Sequence, residues 1–132
     1  MIMSSELVRI NPVVVDLVHS AQIEQSNPFT EEIFLIDFLV ALNGQGMAIQ
    51  ELVSAIQPGD TLSVVRAEGF DVWLDHQGAV IGRVPLEISV VVARLMDAGK
   101  KIVCRVTSAD VLTHKVFGTP FSRVLAKLFM VD

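Results

Sequence analysis

Apolar residues recur along this chain with two different periods, one typical of helices and one typical of strands. After Asn11-Pro12, which supplies a capping side chain and then a proline at the first helical position, apolar residues follow at i, i+3, i+4 and i+7. This spacing predicts a helix over residues 12–24. Similar spacing predicts a short helix over residues 47–56 and another from Leu86 to a stop at Gly99.

Other segments are rich in β-branched and aromatic residues or alternate with a period of two. In the segment after Gly69, the alternation predicts that Phe70, Val72 and Leu74 face the core. Strands are predicted over residues 33–42, 61–66, 70–75, 79–84 and 101–107, and residues 111–117 are predicted to pair with the last of these. After Thr119-Pro120, the apolar stripe of Phe121, Val124, Leu125 and Leu128 predicts a closing amphipathic helix with Arg123 and Lys127 off the stripe.

This order of elements predicts an α+β fold in which a mostly antiparallel sheet curls into a small β-barrel, with an inserted helix and extra terminal helices. We find no internal repeat and no linker, so the 132 residues are interpreted as a single domain. Its predicted parts are an N-terminal helical extension (1–32), a barrel core (33–108) and a C-terminal strand and helix (109–132).

Composition and charge narrow the functional classes. The net charge is −5 and is unevenly placed: residues 1–65 hold one basic side chain against eight acids (−7), and residues 66–132 hold nine against seven (+2). A general polyanion binder is therefore disfavoured, although a local basic patch in the second half is allowed. The single cysteine, Cys104, and the absence of a basic signal-like N-terminus or a long apolar run predict a cytoplasmic protein with no membrane segment.

Residues of the types that bind metals or act as nucleophiles lie far apart in the sequence. His19, His76 and His114 have no paired metal-ligand spacing, and no nucleophile motif surrounds Cys104. Gly44-x-Gly46 has Ile49 where a dinucleotide loop needs its third glycine. We therefore expect neither a metal nor a cofactor and interpret the chain as a binding protein. The alternative, an enzyme, would have to use Asp71, Asp75 and His76.

Trp73 stands out because the alternation places it with Asp71 and Asp75, opposite the core-facing side of its strand. A tryptophan on a polar face indicates a contact surface, unless a helix of the same chain covers it.

Several runs at fitting spacing resemble the HIRAN family. PGDTLSVVRAE (58–68) is similar to that family's entry strand, GAVIGRVP (78–85) to its hairpin, and LMDAGK (95–100) to the end of its helix. Residues 33–42 lie where the family's first strand would. The strand over residues 101–107 follows as in the family, and the resemblance covers residues 33–108. The family's asparagine–aspartate segment after the first of these runs is absent here, where Glu68-Gly69 leads directly into Phe70.

The resemblance implies a barrel of the OB or SH3 type that occurs alone in bacteria and phages or fused to DNA helicases and nucleases. It also implies recognition of single-stranded ends or damaged DNA. On this hypothesis Arg66, Arg83, Lys100 and Lys101 contact phosphates and Trp73 stacks on a base.

The alternative hypothesis is a protein-interaction or self-association module. The mean hydropathy of +0.55 is high for a soluble monomer. The amphipathic helices outside the family core add apolar faces that could pair two copies as a homodimer. The sequence by itself leaves both hypotheses open.

Overall fold

The computed structural model describes residues 25–27, 31–113 and 118–131 of the chain. Within these residues the strands are Gln25–Asn27 (β1), Glu32–Leu39 (β2), Ala41–Leu42 (β3), Thr61–Arg66 (β4), Val72–His76 (β5), Ala79–Arg83 (β6), Lys101–Thr113 (β7) and Pro120–Val131 (β8). The helices are Met47–Ser54 (α1) and Leu86–Asp97 (α2). The helix predicted over residues 12–24 lies outside the described residues.

Every strand pair is antiparallel, and the order across the sheet is β1-β2-β8-β7-β4-β5-β6-β3. The strands β2 and β3 are separated in sequence by Val40 alone, yet β2 pairs with β8 and β3 pairs with β6. The backbone N–H of Val40 donates to the carbonyl of Val124 on β8 at 2.9 Å. The sheet therefore curls back onto one continuous stretch of chain, which confirms the predicted α+β, barrel-like fold class.

Alternation along the strands fills the interior of the curled sheet. Val72 and Leu74 on β5 are fully buried, as predicted, but Phe70 is 44% exposed and precedes the strand. The prediction that Phe70 faces the core is therefore wrong; its ring lies beneath the guanidinium of Arg94 on α2, at 5.5 Å. The rest of the core comes from the other strands and both helices, including Leu35, Phe38, Ile49, Val53, Leu62, Ile81, Val92, Ala93, Cys104, Val106, Val124 and Leu128.

Glycines at two chain reversals adopt the positive φ that each of them requires. Gln77 and Gly78 both have positive φ (51° and 90°), which is the two-residue turn that matches strand twist, and His76 pairs with Ala79 across it. At the end of α2, Gly99 has a φ of 86° and its N–H donates to the carbonyl of Met96, while Lys100 donates to Leu95. The predicted helix stop at Gly99 is thus confirmed.

The C-terminal prediction is wrong. Residues from Pro120 to Val131 form a long strand rather than an amphipathic helix. Val124 and Leu128 are spaced by four, which suits a helix, but Ser122, Val124, Ala126 and Leu128 also alternate with a period of two, and all four are buried. Pairing with β2 on one side and β7 on the other decides between the two patterns.

Two further predictions need correction. Residues 111–113 do not begin a separate strand that returns along residues 101–107, because they continue β7 and pair with β8; residues 114–117 lie outside the described residues. The extension over residues 1–32 is not wholly helical, because β1 pairs with β2 and Glu32 already belongs to β2.

Candidate binding face

One row of outward-facing side chains crosses four strands. Val65 on β4 lies opposite Trp73 on β5, Trp73 lies opposite Arg83 on β6, and Arg83 lies opposite Ala41 on β3. Leu39, two residues before Ala41, is exposed on the same side, while Val40 between them is buried. We call Leu39, Ala41, Val65, Trp73 and Arg83 the Trp73 face.

The centre of the Trp73 face is a contact between an arginine and the tryptophan ring. The guanidinium carbon of Arg83 lies 5.8 Å from the centroid of the Trp73 ring, within the range of a cation–π interaction. One guanidinium nitrogen of Arg83 also lies 3.9 Å from a carboxylate oxygen of Asp71. Both charged side chains are about half exposed, so the ion pair is screened by water and Arg83 remains reachable from solvent.

Arg66, the second arginine predicted to bind phosphate, forms an ion pair with Asp97 away from the Trp73 face. Its guanidinium donates to both carboxylate oxygens of Asp97 at the end of α2, at 3.1 and 3.2 Å, and to the carbonyl of Ala67. Arg66 pairs with Val72, whose side chain is buried, so it projects on the opposite side of the sheet from Trp73. This bidentate pair ties the end of β4 to α2.

The five residues predicted to bind nucleic acid do not form one group. Trp73 and Arg83 are brought together on the Trp73 face. Lys101 begins β7, which is separated from the strand of Trp73 by β4, and it lies opposite Val131. Lys100 lies in the connection between α2 and β7. Of the predicted site, the structure therefore assembles the aromatic residue and one cation.

The residues of the enzyme alternative each have a local partner. Asp75 accepts a hydrogen bond from the N–H of Gly78 in the hairpin turn at 3.1 Å. His76 is buried, and its Nε2 lies 3.0 Å from an oxygen of Asp60. In residues 31–113 and 118–131, no cluster of three or more histidine, cysteine, aspartate or glutamate side chains could hold a metal ion.

The pKa values of Cys104 and Asp60, two residues of the scaffold, are shifted by burial and by hydrogen bonding, respectively. Cys104 is a core residue with no exposed surface, and burial raises the pKa of its thiol to about 12, which favours the protonated form. The pKa of Asp60 is lowered, first by the N–H of Gln57 and then by His76, because both stabilise the ionised carboxylate.

Sequence reasoning missed three features of the surface. A bidentate pair joins Arg105 on β7 to the buried Glu32 on β2 across the intervening β8. The side-chain amide of Gln45 bonds the backbone of Ser122 in both directions. The strands β7 and β8 also stay paired past the last residues that pair with β4 and β2. The alternation of Ser122, Val124 and Ala126 could have revealed the strand, whereas pairs so far apart in sequence leave no local signal.

The chain matches no protein-family model, no curated protein and no solved structure. Within the described residues, the structure contains no helix long and apolar enough to cross a membrane.

Proposed function

We propose that this chain is a non-catalytic binding module whose Trp73 face docks an apolar, basic segment of another protein. The observation that carries the proposal is the charge around Trp73. Arg83, the cation of this face, already contacts both the Trp73 ring and Asp71. Asp71 and Asp75 belong to the same outward side as Trp73, so carboxylates outnumber cations around an apolar row.

The composition of the face fits a protein partner. Val65 and Leu39 are each close to half exposed. Val65 lies directly opposite Trp73, and Leu39 adds aliphatic surface at the far end of the row, beyond Arg83 and Ala41. Interfaces between proteins are enriched in tryptophan and arginine at their centres, surrounded by a polar rim. A partner that brings leucine- or valine-type side chains for the row and lysine or arginine for Asp71 and Asp75 would be complementary in both respects.

Nucleic acid, which the HIRAN resemblance implies, fits this face less well. Phosphate contacts supply most of the affinity for a nucleic acid and require free cations. Arg66 and Arg83 are both ion-paired with carboxylates of the chain itself, so Asp97 and Asp71 would compete with a phosphate at each arginine. Trp73 remains available for stacking, and the test below therefore includes an oligonucleotide.

The test is selection from a random peptide display library on the whole chain, followed by binding measurements with the enriched peptides. Trp73 is the single tryptophan, so its emission reports directly on contact with this face. We expect enriched sequences that combine aliphatic with basic residues, and binding that shifts the emission of Trp73 to shorter wavelength. A double substitution, Asp71→Asn with Asp75→Asn, should weaken these peptides by about tenfold.

The matched control is a second exposed aromatic residue. Trp73→Ala should abolish peptide binding, whereas Phe70→Ala, which removes an aromatic ring that contacts α2 outside the Trp73 face, should leave it unchanged. A labelled single-stranded oligonucleotide is titrated in parallel at low and moderate salt. Salt-sensitive oligonucleotide binding that is lost in Trp73→Ala would overturn the protein-docking proposal in favour of nucleic acid. Failure to enrich aliphatic and basic peptides would overturn it as well.

A further inference from the structure

The strands β7 and β8 form an arm that continues past the rest of the sheet. Their pairing runs from Lys101 opposite Val131 to Thr113 opposite Pro120. On one side, β4 pairs with β7 only as far as Arg105, and the turn residues Gly59 and Asp60 bond Val106. On the other side, β2 pairs with β8 as far as Leu125. We call residues 108–113 and 120–123 the arm.

Along the β8 edge, from Val124 to Pro120, three successive features leave few backbone groups free to pair with another strand. The carbonyl of Val124 accepts the N–H of Val40. The side-chain amide of Gln45 then takes the place of a neighbouring strand at Ser122: its nitrogen donates to the Ser122 carbonyl at 3.0 Å, and its oxygen accepts the Ser122 N–H. Pro120, two residues further, has no N–H to offer. Natural proteins protect exposed edges in this manner.

On the β7 side of the same arm, the β8 contacts fix the direction in which the backbone groups point. In an antiparallel pair, residues opposite each other either exchange both hydrogen bonds or both point their backbone groups outward. The N–H and C=O of Ser122 point outward to Gln45, so Val111, which lies opposite Ser122, must also point its N–H and C=O outward. The same holds for Ala109 opposite Val124 and, by alternation, for Thr113 opposite Pro120.

Three alternate residues thus present backbone donors and acceptors along one straight edge. Among the residues that the structure describes, no strand pairs with Ala109, Val111 or Thr113 on this side. The side chain of Val111, at the middle of this edge, is 39% exposed. Of the usual protections of an edge strand, residues 108–113 contain neither proline nor lysine, and their single charged side chain is Asp110.

We propose that this edge pairs with the same edge of a second copy of the chain, antiparallel and about a two-fold axis through Val111. In that register Val111 lies opposite Val111 of the second copy, and Ala109 lies opposite Thr113 of the second copy. Each of these residues then exchanges both of its backbone hydrogen bonds. An antiparallel edge of this kind is complementary to itself about a two-fold axis, and with three outward-pointing residues the axis that pairs all of them passes through Val111.

The side chains of the edge are compatible with this pairing. The positions opposite each other would be valine with valine, alanine with threonine, and Asp110 with Leu112 of the second copy, so no like charges face directly. Arg123 on β8 lies opposite Asp110 within the arm, where it offsets the negative charge. The contact is small and does not involve the Trp73 face, so we expect a weak dimer that forms independently of the proposed function.

The first experiment measures the mass of the whole chain by sedimentation over a concentration series from about 5 to about 500 µM, the range in which weak contacts of this size associate. We expect a reversible shift from the monomer to twice its mass. In parallel, amide hydrogen exchange should show protection at Ala109, Val111 and Thr113 that rises with protein concentration. A chain that remains monomeric throughout the series would overturn the proposal.

Two substitutions locate the contact. Val111→Pro removes an N–H that points away from β8, so the arm itself loses no hydrogen bond, and Val111→Lys places a charge at the two-fold axis. Each should keep the chain monomeric at every concentration. The control is Val80→Lys, a valine of similar exposure on β6, which should dimerise as the wild type does. A dimer that survives both substitutions at Val111 in folded protein would place the contact elsewhere and overturn the proposal.

Discussion

Gly82 on β6 lies directly against the carbonyl oxygen of Ala41 on β3, so close that a Cβ atom on Gly82 would stand less than 3.0 Å from that oxygen and from the Cα of Leu42. The obstacle on both counts is backbone, which cannot rotate away as a side chain can. This approach occurs where β3 meets β6, the pairing that brings the curled sheet back onto the β2–β3 stretch.

We therefore expect Gly82→Ala to lower the free energy of unfolding by about 1–3 kcal/mol, because the two strands must separate to admit one methyl group. Urea denaturation followed by circular dichroism measures the change. The control is Gly46→Ser at the N-cap of α1, where the added side chain has open space and could cap the helix. An unchanged unfolding midpoint for Gly82→Ala would mean that β3 and β6 can move apart at this point without loss of stability.

Gln45→Ala should destabilise the base of the arm. The substitution removes the hydrogen bonds at both the N–H and the C=O of Ser122 and leaves the β8 edge open. At about 0.5–1.5 kcal/mol for each hydrogen bond, we expect a loss of roughly 1–3 kcal/mol. Hydrogen exchange at the Ser122 amide should accelerate while exchange in β5 stays slow. Equal acceleration in both places would show that Gln45 stabilises the whole fold and not this edge.

The Arg105–Glu32 pair should respond asymmetrically to the removal of its two members. The Glu32 side chain is 7% exposed, whereas that of Arg105 is 38% exposed. Arg105→Met leaves a buried carboxylate without this cation and should cost about 3 kcal/mol, whereas Glu32→Gln leaves an arginine that water can solvate and should cost about 1 kcal/mol. Denaturant unfolding of both variants measures the difference. Equal costs would indicate that water reaches Glu32 in the folded protein.

The lowered pKa of Asp60 predicts a loss of stability in acid. The N–H of Gln57 and the ring of His76 stabilise its ionised form in the folded state, so its folded pKa lies below the unfolded value of about 3.9. The resulting contribution is fully present above about pH 4 and disappears as the pH falls through the folded pKa. Unfolding midpoints between about pH 6 and about pH 2 should therefore fall less steeply in Asp60→Asn than in the wild type. Parallel pH profiles would exclude this role for Asp60.

The sequence by itself determined the elements whose signals are local. The turn at Gln77-Gly78, the helix stop at Gly99 and the alternation of Val72 and Leu74 each depend on residues within a few positions of one another. These patterns were sufficient to predict an antiparallel α+β barrel, because turn chemistry and period together restrict how consecutive strands can pair.

Tertiary structure decided the rest where two local patterns compete or where partners are far apart in the chain. Residues 120–131 fit both a helical and a strand period, and pairing with β2 and β7 selected the strand. Whether Arg66 was free depended on Asp97, thirty-one positions away, and the closing of the β8 edge depended on Gln45, seventy-seven positions from Ser122. Such contacts arise when the chain folds back on itself, and the sequence near either partner does not encode them.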